Sequence, residues 1–279
     1  MTDPVFVHDT ATAAARAAGD FIRKVFLDAA AGIALPVEEK HGHADIVTFA
    51  DRQAEIIIRD ILTTRLPQSR ILGEEGGWQG QGDLVWYVDP IDGTSNFASG
   101  LPWFCVSIAA CDADGAPVAA AIFDPIRDEM FSCIGPQLFL NGAPYTTAVQ
   151  TTDDSGAEVL TNLPREGRQP SAADMAYLGN LFAAFRGVRR LGSAALQLAY
   201  VAVGRAAVNY DEGCYPWDIA AGLQLVAASG GQILCWDKAS GARMANPLSA
   251  LEDVSRIVVT TAGYDVARSA VLGSWAEEA

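Results

Sequence analysis

Apolar residues in the first part of the chain recur at the spacing of an α-helix. From Val5 to Ala31 the run is rich in alanine, and Phe6, Ala13, Ala17, Phe21, Val25 and Leu27 fall near one face. A second helix is predicted from about Thr48 to Leu66, with Ala54, Ile57, Ile58, Ile61 and Leu62 as its stripe and Pro67 as its stop. Residues 36–45 between them (PVEEKHGHAD) read as a polar connector. The pattern then shortens to strand-like runs at Leu84–Val88, Trp103–Cys111, Val118–Phe123, Met130–Cys133 and Leu138–Leu140. Turns rich in Asp, Gly and Pro separate them, as in an antiparallel meander.

Past residue 150 the two periods alternate. Apolar runs at Glu158–Leu163, Val188–Leu191, Ala206–Asn209, Gln232–Leu234 and Arg256–Thr260 are interspersed with helical stretches near 171–185, 193–203, 217–229 and 263–276. The chain therefore reads as α/β, with an α+β first half and an α/β second half, and two sheets sandwiched among helix layers. The expected division is residues 1–150, a helix pair plus antiparallel sheet carrying most of the acidic candidates, and 151–279, an α/β unit that completes the site. TTDDSG at 151–156 is the expected junction.

Composition narrows the function classes. Half the residues are apolar and 19% are charged, as in a compact globular protein. A net charge of −15, from 34 acidic and 19 basic residues, argues against a nucleic-acid partner. Cys105, Cys111, Cys133, Cys214 and Cys235 form no C-x-x-C pair and read as reduced, buried thiols of a cytoplasmic protein. No signal peptide is visible, and the longest uncharged apolar stretch, around Trp103 to Cys111, is too short to span a membrane.

The chemistry concentrates in residues 84–97, LVWYVDPIDGTSNF, where an apolar run ends in Asp89 and Asp92 and a tight turn is expected. Pro90 fixes the chain direction and Gly93 lets backbone approach a ligand. Two carboxylates this close repel, so both stay ionised only with a cation between them. A solvated turn is the plainer alternative. Further acids recur at Glu74 and Glu75 in a glycine-rich turn, at Asp51 in the first turn of the second helix, and at Asp218 after Trp217. Each alone is explained equally well as an exposed loop or a helix-start charge. Together, carboxylates from separate segments without a Cys/His cluster are a ligand set for Mg²⁺ or Mn²⁺ rather than zinc. His41 and His43 lack a third ligand, and the chain has neither a P-loop nor a G-x-S-x-G motif.

A phosphate also needs donors. Gly93-Thr94 offers N–H groups and a hydroxyl, and Leu191-Gly192-Ser193-Ala194-Ala195 offers a second set where a strand meets a helix N-terminus. An ordinary Ser-capped helix is the plainer reading of the latter. Acidic ligands plus an anion cradle point to metal-assisted phosphoester hydrolysis.

In order along nearly the whole chain, ADIVTFAD (44–51), GEEGG (73–77), WYVDPIDGTSNF (86–97), FLNG (139–142), RRLGSAALQLAYVAVGRAAVNY (189–210) and PWDIAAGLQLVAASGG (216–231) resemble the inositol monophosphatase family, part of the Mg²⁺-dependent, lithium-sensitive phosphatases. The resemblance implies a five-layer αβαβα sandwich, assembled as a homodimer, that takes a small phosphate ester. It implies two to three Mg²⁺ per site, with Mn²⁺ as an alternative. By that resemblance Glu74, Asp89 and the Ile91 carbonyl hold a first metal, and Asp89, Asp92 and Asp218 a second, with Glu74 holding a third through water. Asp51, Glu74 and Thr94 become the catalytic set, Asp51 and Thr94 orienting and activating the attacking water. Gly93, Thr94, Ser193 and Ala194 match phosphate and substrate contacts, as do Asp92, Gly192, Asp211 and Asp218, and Lys40 matches a loop contact. Asp211 stands where the family often has a glutamate that touches sugar hydroxyls.

The expected substrate is inositol 1-phosphate or a related polyol phosphate. Histidinol-phosphate, fructose 1,6-bisphosphate and 3′-phosphoadenosine 5′-phosphate are the alternatives within the superfamily. A non-catalytic regulatory protein that keeps the fold and binds a partner, such as RNA-associated machinery, is the alternative from another class. Loss of a metal ligand would mark it, and none is lost.

Overall fold

The structure, a computed structural model, describes residues 2–32, 37–39, 46–148, 151–165 and 167–273. Asp3 caps the first helix, α1 (Pro4–Ala30), by accepting the Val5 N–H, with Pro4 in the first turn. Its buried stripe is Val7, Ala11, Ala14, Ala15, Ala18 and Ile22, not the predicted face, on which Phe6 and Leu27 are exposed. Small residues win because the helix lies close on the sheet: a Cβ added to Gly19 would fall 2.2 Å from the Phe123 ring. Phe6 packs under the Arg65 guanidinium instead.

Within the predicted connector, β1 (Val37–Glu39) pairs antiparallel with β2 (Ile46–Thr48), while Lys40, His41 and His43 lie outside the described residues. Helix α2 (Phe49–Arg65) buries Ala54, Ile58 and Leu62 as expected, and also the acids Asp51 and Glu55. Next come β3 (Ser69–Gly73), β4 (Gly77–Gly80), β5 (Leu84–Asp92), the short α3 (Thr94–Ala98), β6 (Cys105–Cys111), β7 (Pro117–Asp124), β8 (Glu129–Ile134), β9 (Gln137–Leu140) and β10 (Ala143–Pro144). They build one sheet of order β10-β9-β8-β7-β6-β5-β3-β4.

Two expectations are corrected here. The meander holds from β5 to β10, but β3 runs parallel to β5, so the sheet is mixed. That pairing brings both C-terminal ends together, and the Glu74 N–H donates to the Val88 carbonyl. Nor does the strand break at Asp89. It runs on through Asp92, with Asp89 opposite Ser107, Asp92 opposite Cys105 and one extra residue bulged between them. Pro90 sits in this bulge, where its missing N–H is tolerated.

The second half adds β11 (Glu158–Thr161), α4 (Ala172–Ala184), β12 (Gly187–Arg189), α5 (Ala194–Ala202), β13 (Val208–Glu212), α6 (Pro216–Ala228), β14 (Gln232–Asp237) and β15 (Val254–Thr260). Their sheet has the order β12-β11-β13-β15-β14, with β11, β12 and β13 parallel and β15 antiparallel to its neighbours. The helix expected at 263–276 is replaced, among the described residues, by 3₁₀ turns at Val266–Arg268 and Ala270–Leu272. Asp154 shapes them by accepting from the Tyr264 and Ser269 hydroxyls and the Ala270 N–H.

Three apolar cores stack these elements. Helices α1 and α2 cover one face of the large sheet, joining Ile22 and Ile58 to Trp86, Ile108 and Phe123. Helices α5 and α6 fill the space between sheets, where Leu196 and Leu223 meet Phe131 and Val259. Helix α4 and the C-terminal turns cover the far face of the small sheet through Leu181 and Val271. The result is a five-layer αβαβα sandwich. All five cysteines are unpaired and buried, and no described helix is long and apolar enough to cross a membrane.

Candidate active site

The C-terminal ends of the parallel strands from both sheets converge on one cavity of about 290 Å³. Ligands collect at such strand ends in open α/β sheets, and the volume lies near the small end of ligand pockets, roughly 300–1,000 Å³. From the large sheet, β3 leads to Glu74 and β5 to Asp92, Gly93 and Thr94. From the small sheet, β11, β12 and β13 lead to Arg165, to the 190–194 loop and to Gly213, and α6 adds Asp218 from its first turn.

Asp89 is 2% exposed, and its Oδ1 accepts the Ile91 N–H at 3.0 Å. Burial pushes its carboxyl well above the usual range, and Glu74, Asp92, Asp218 and Asp51 push it further. Asp218 is pushed up to about 8, first by burial and then by Asp92, although its Oδ2 accepts the Tyr215 N–H at 2.8 Å. Asp92 accepts from the Ser193 hydroxyl at 2.7 Å, the Ala194 N–H at 3.2 Å and the Ala195 N–H at 2.6 Å. Burial still outweighs those donors and raises its carboxyl. Asp51, 1% exposed, accepts from the Thr94 hydroxyl at 2.9 Å. The same hydroxyl lies 2.9 Å from the Ile91 carbonyl, and its single proton can serve only one acceptor fully.

These acids suit a hard cation in kind. The four groups that act on Asp89 most strongly, Glu74, Asp92, Asp218 and Asp51, are all carboxylates, a setting that favours either a retained proton or a bound cation. The donors are all oxygen, the preference of Mg²⁺ and Mn²⁺. Among the described residues no three His, Cys, Asp or Glu side chains form a ready-made metal group. Asp89, Asp92 and Asp218 each commit an oxygen to backbone donors.

Of the residues singled out from the sequence, Glu74, Asp92, Gly93, Thr94 and Asp218 line the cavity, as do Gly192, Ser193 and Ala194. Asp51 and Ile91 stand directly behind, both at Thr94, and Asp89 reaches them through the Ile91 N–H. The anion that the N-terminus of α5 holds is the Asp92 carboxylate itself. Asp211 stands apart, fully buried, with Gln197 Nε2 and Asn209 Nδ2 each 3.0 Å from Oδ2. Burial pushes it up to about 7. Gln197, not Asp211, lines the cavity. Lys40 lies outside the described residues.

Asn162, Arg165, Arg190, Gln197 and Glu212 also line the cavity and were not anticipated. Their signal lies in position: most directly follow or end β11, β12 and β13, the parallel strands of the second half. Asn96, inside the quoted motif, was also missed as a clasp. Its Nδ2 donates to the Trp103 and Leu191 carbonyls, both at 2.7 Å, and so ties the 93–96 turn to the 191–193 loop.

Known proteins resemble this chain in sequence and in fold. The profile of the inositol monophosphatase family matches residues 3–269. A protein of Xylella fastidiosa named Nus factor SuhB is 39% identical over 201 residues, 72% of each chain. An inositol-1-monophosphatase of Synechocystis is 37% identical over 207 residues, covering 72% of this chain and 70% of its own. The crystal structure of extragenic suppressor protein SuhB from Bartonella henselae superposes with a TM-score of 0.76 at 33% identity, covering 90% of this chain and 92% of that one.

Proposed function

Since the chain belongs to the inositol monophosphatase family, we propose that it is a metal-dependent phosphomonoesterase acting on inositol 1-phosphate or a related polyol phosphate. The observation that carries this reading is the gathering of Asp51, Glu74, Asp92 and Asp218 around Asp89, the four carboxylates that act on it most strongly, three of them at the cavity itself. Glu74, Asp89, Asp92, Asp218 and the Ile91 carbonyl would hold two to three Mg²⁺, or Mn²⁺. Such cations supply charge that neutralises phosphoryl oxygens and makes the attacking water more acidic.

The chain's own residues do the rest. Gly93 and Thr94 lie at the cavity wall, where their N–H groups and hydroxyl would orient the phosphate. Asp51, bonded to Thr94, would take the proton of the attacking water through that hydroxyl. Ser193 and the first N–H groups of α5 keep Asp92 in a single orientation. Inhibition by lithium and assembly as a homodimer belong to the same proposal. Helix α4 presents Met175 and Phe182, 51% and 63% exposed, as an apolar face for a second copy.

The name of the Xylella relative makes a partner-binding role the second reading. The test is phosphate release from inositol 1-phosphate, histidinol-phosphate, fructose 1,6-bisphosphate and 3′-phosphoadenosine 5′-phosphate, with Mg²⁺ and with EDTA. Metal-dependent release supports catalysis, and its rank order names the substrate. No release from any ester would leave the binding role.

A further inference from the structure

Helix α2 turns two carboxylates inward on one face, four residues apart. Asp51 meets Thr94, and Glu55, 5% exposed, lies one helical turn further on. The reaction proposed above uses Asp51 and leaves Glu55 without a role. A buried carboxylate needs donors, and Glu55 finds them in the turn that carries Glu74. Its Oε2 accepts the Glu75 N–H at 2.8 Å, and the carboxylate also accepts the Gly76 N–H.

The turn is shaped around that carboxylate. A Cβ added to Gly73 would fall 2.6, 2.7 and 2.9 Å from Glu55 Oε2, Cδ and Oε1, and one added to Gly76 would fall 2.5 Å from Oε1. Neither glycine has a positive φ, so space rather than backbone conformation asks for glycine at both. Between them stands Glu74, which lines the cavity, whereas Glu55 does not. The Glu74 N–H donates to the Val88 carbonyl of β5 at 3.1 Å, and the next two N–H groups go to Glu55 of α2. The Glu74 backbone is thus held between the strand that carries Asp89 and Asp92 and the helix that carries Asp51.

We propose that Glu55 is a positioning residue: by holding the 74–76 turn it sets where the Glu74 carboxylate stands, and hence how tightly a divalent cation is bound. This rests on the metal-dependent reading above, in which Glu74 is one of the groups that would hold the cation. Groups that orient metal ligands from behind change metal affinity or activity by about 10–100-fold when they are altered.

The test is Mn²⁺ binding to the metal-free full chain, followed by electron paramagnetic resonance of the free ion with no ester present. Glu55→Gln keeps the size but supplies one accepting oxygen in place of two. Gly73→Ala keeps the carboxylate and displaces it. Both are expected to weaken Mn²⁺ binding by about tenfold or more, and to raise the Mg²⁺ concentration that half-activates phosphate release in parallel. Gly19→Ala, which crowds Phe123 instead, should lower Tm in EDTA without weakening Mn²⁺ binding. That comparison separates a positioned ligand from a loosened fold. Unchanged Mn²⁺ affinity in Glu55→Gln, or an equal loss in Gly19→Ala, would overturn the positioning role and leave the phosphatase reading intact. Failure of both Glu55→Gln and Gly73→Ala to fold would overturn it too, because Glu55 would then hold the fold rather than Glu74. Weakened Mn²⁺ binding in the two variants, with no ester hydrolysed by the unaltered protein, would keep the positioning role and overturn the phosphatase reading. No Mn²⁺ binding by the unaltered protein would overturn both.

Discussion

The Thr94 hydroxyl oxygen lies 2.9 Å from Asp51 Oδ1, joining the first turn of α2 to the turn after β5. Asp51 is a carboxylate held at 1% exposure, a costly position unless a partner or a task keeps it. Thr94→Ala or Asp51→Asn is expected to lower kcat by about 10²–10⁴, the usual contribution of a positioned proton acceptor, with little change in KM. Steady-state kinetics at saturating Mg²⁺ checks this. A variant of either kind with near-normal kcat removes the pair from the reaction.

Metal and pH should act on stability together. Asp211 is pushed up to about 7 and Asp218 to about 8, and Asp89 also stands well above its ordinary value. Raised folded-state values mean that the native protein holds protons that the unfolded chain releases above about pH 4. This contribution is fully present below about pH 4 and is lost as pH rises through 7 to 8. Without metal, Tm is therefore expected to fall between pH 5 and pH 8.5. Added Mg²⁺ should raise it by several degrees, more at pH 8.5 than at pH 6, because it binds the ionised carboxylates. Thermal melts with Mg²⁺ or EDTA at both pH values decide. A metal effect that grows toward low pH would contradict the assignment of these acids.

Some of this was legible in the residues themselves, and the gaps have physical causes. Asp89, Asp92, Gly93 and Thr94 fall within six consecutive residues, so one motif brings them into view together. The continuation of β5 through Asp92 was hidden because a one-residue bulge leaves the apolar run looking finished at Val88. Arg165 and Arg190 were hidden because they acquire a direction only when β11, β12 and β13 pair in parallel. Asp211 looked available because its local pattern does not reveal that Gln197, on another element, closes over it. The buried face of α1 was misjudged for a different reason. Alanines lie on several of its faces, so the aromatic residues dominated the apparent stripe, whereas close approach to the sheet selected the small side.

That close approach can be measured at Gly19. Alanine there would gain about 1 kcal/mol in helix propensity. Its Cβ, however, would fall 2.2 and 2.5 Å from two ring carbons of Phe123. Phe123 is 1% exposed and has the Arg16 guanidinium 4.5 Å from its ring centroid, so it has little freedom to retreat. Gly19→Ala should destabilise the protein by about 1–3 kcal/mol, as overpacking does. Urea denaturation gives the sign. A stabilised variant would show that α1 can lift from the sheet at no cost.

Asn96 tests whether the two sheets are held in register at the site. One amide nitrogen serves the Trp103 and Leu191 carbonyls at 2.7 Å and approaches the Gly192 carbonyl at 3.3 Å. The 191–195 segment that it pins is the same one that orients Asp92 through Ser193, Ala194 and Ala195. Asn96→Ala should therefore act in two places. Two carbonyls left without their donor should cost about 1–3 kcal/mol of stability. The freed loop should let Asp92 turn, and misplacement of about 1 Å near reacting groups costs on the order of 10²-fold in rate. Asn96→Asp keeps the shape but aims a carboxylate at carbonyl oxygens, so it should be at least as damaging as alanine. Urea denaturation together with kcat for both variants separates the effects. Lost stability with unchanged kcat would mean that Asp92 is held well enough by α5 alone, and that Asn96 joins the sheets without positioning the site.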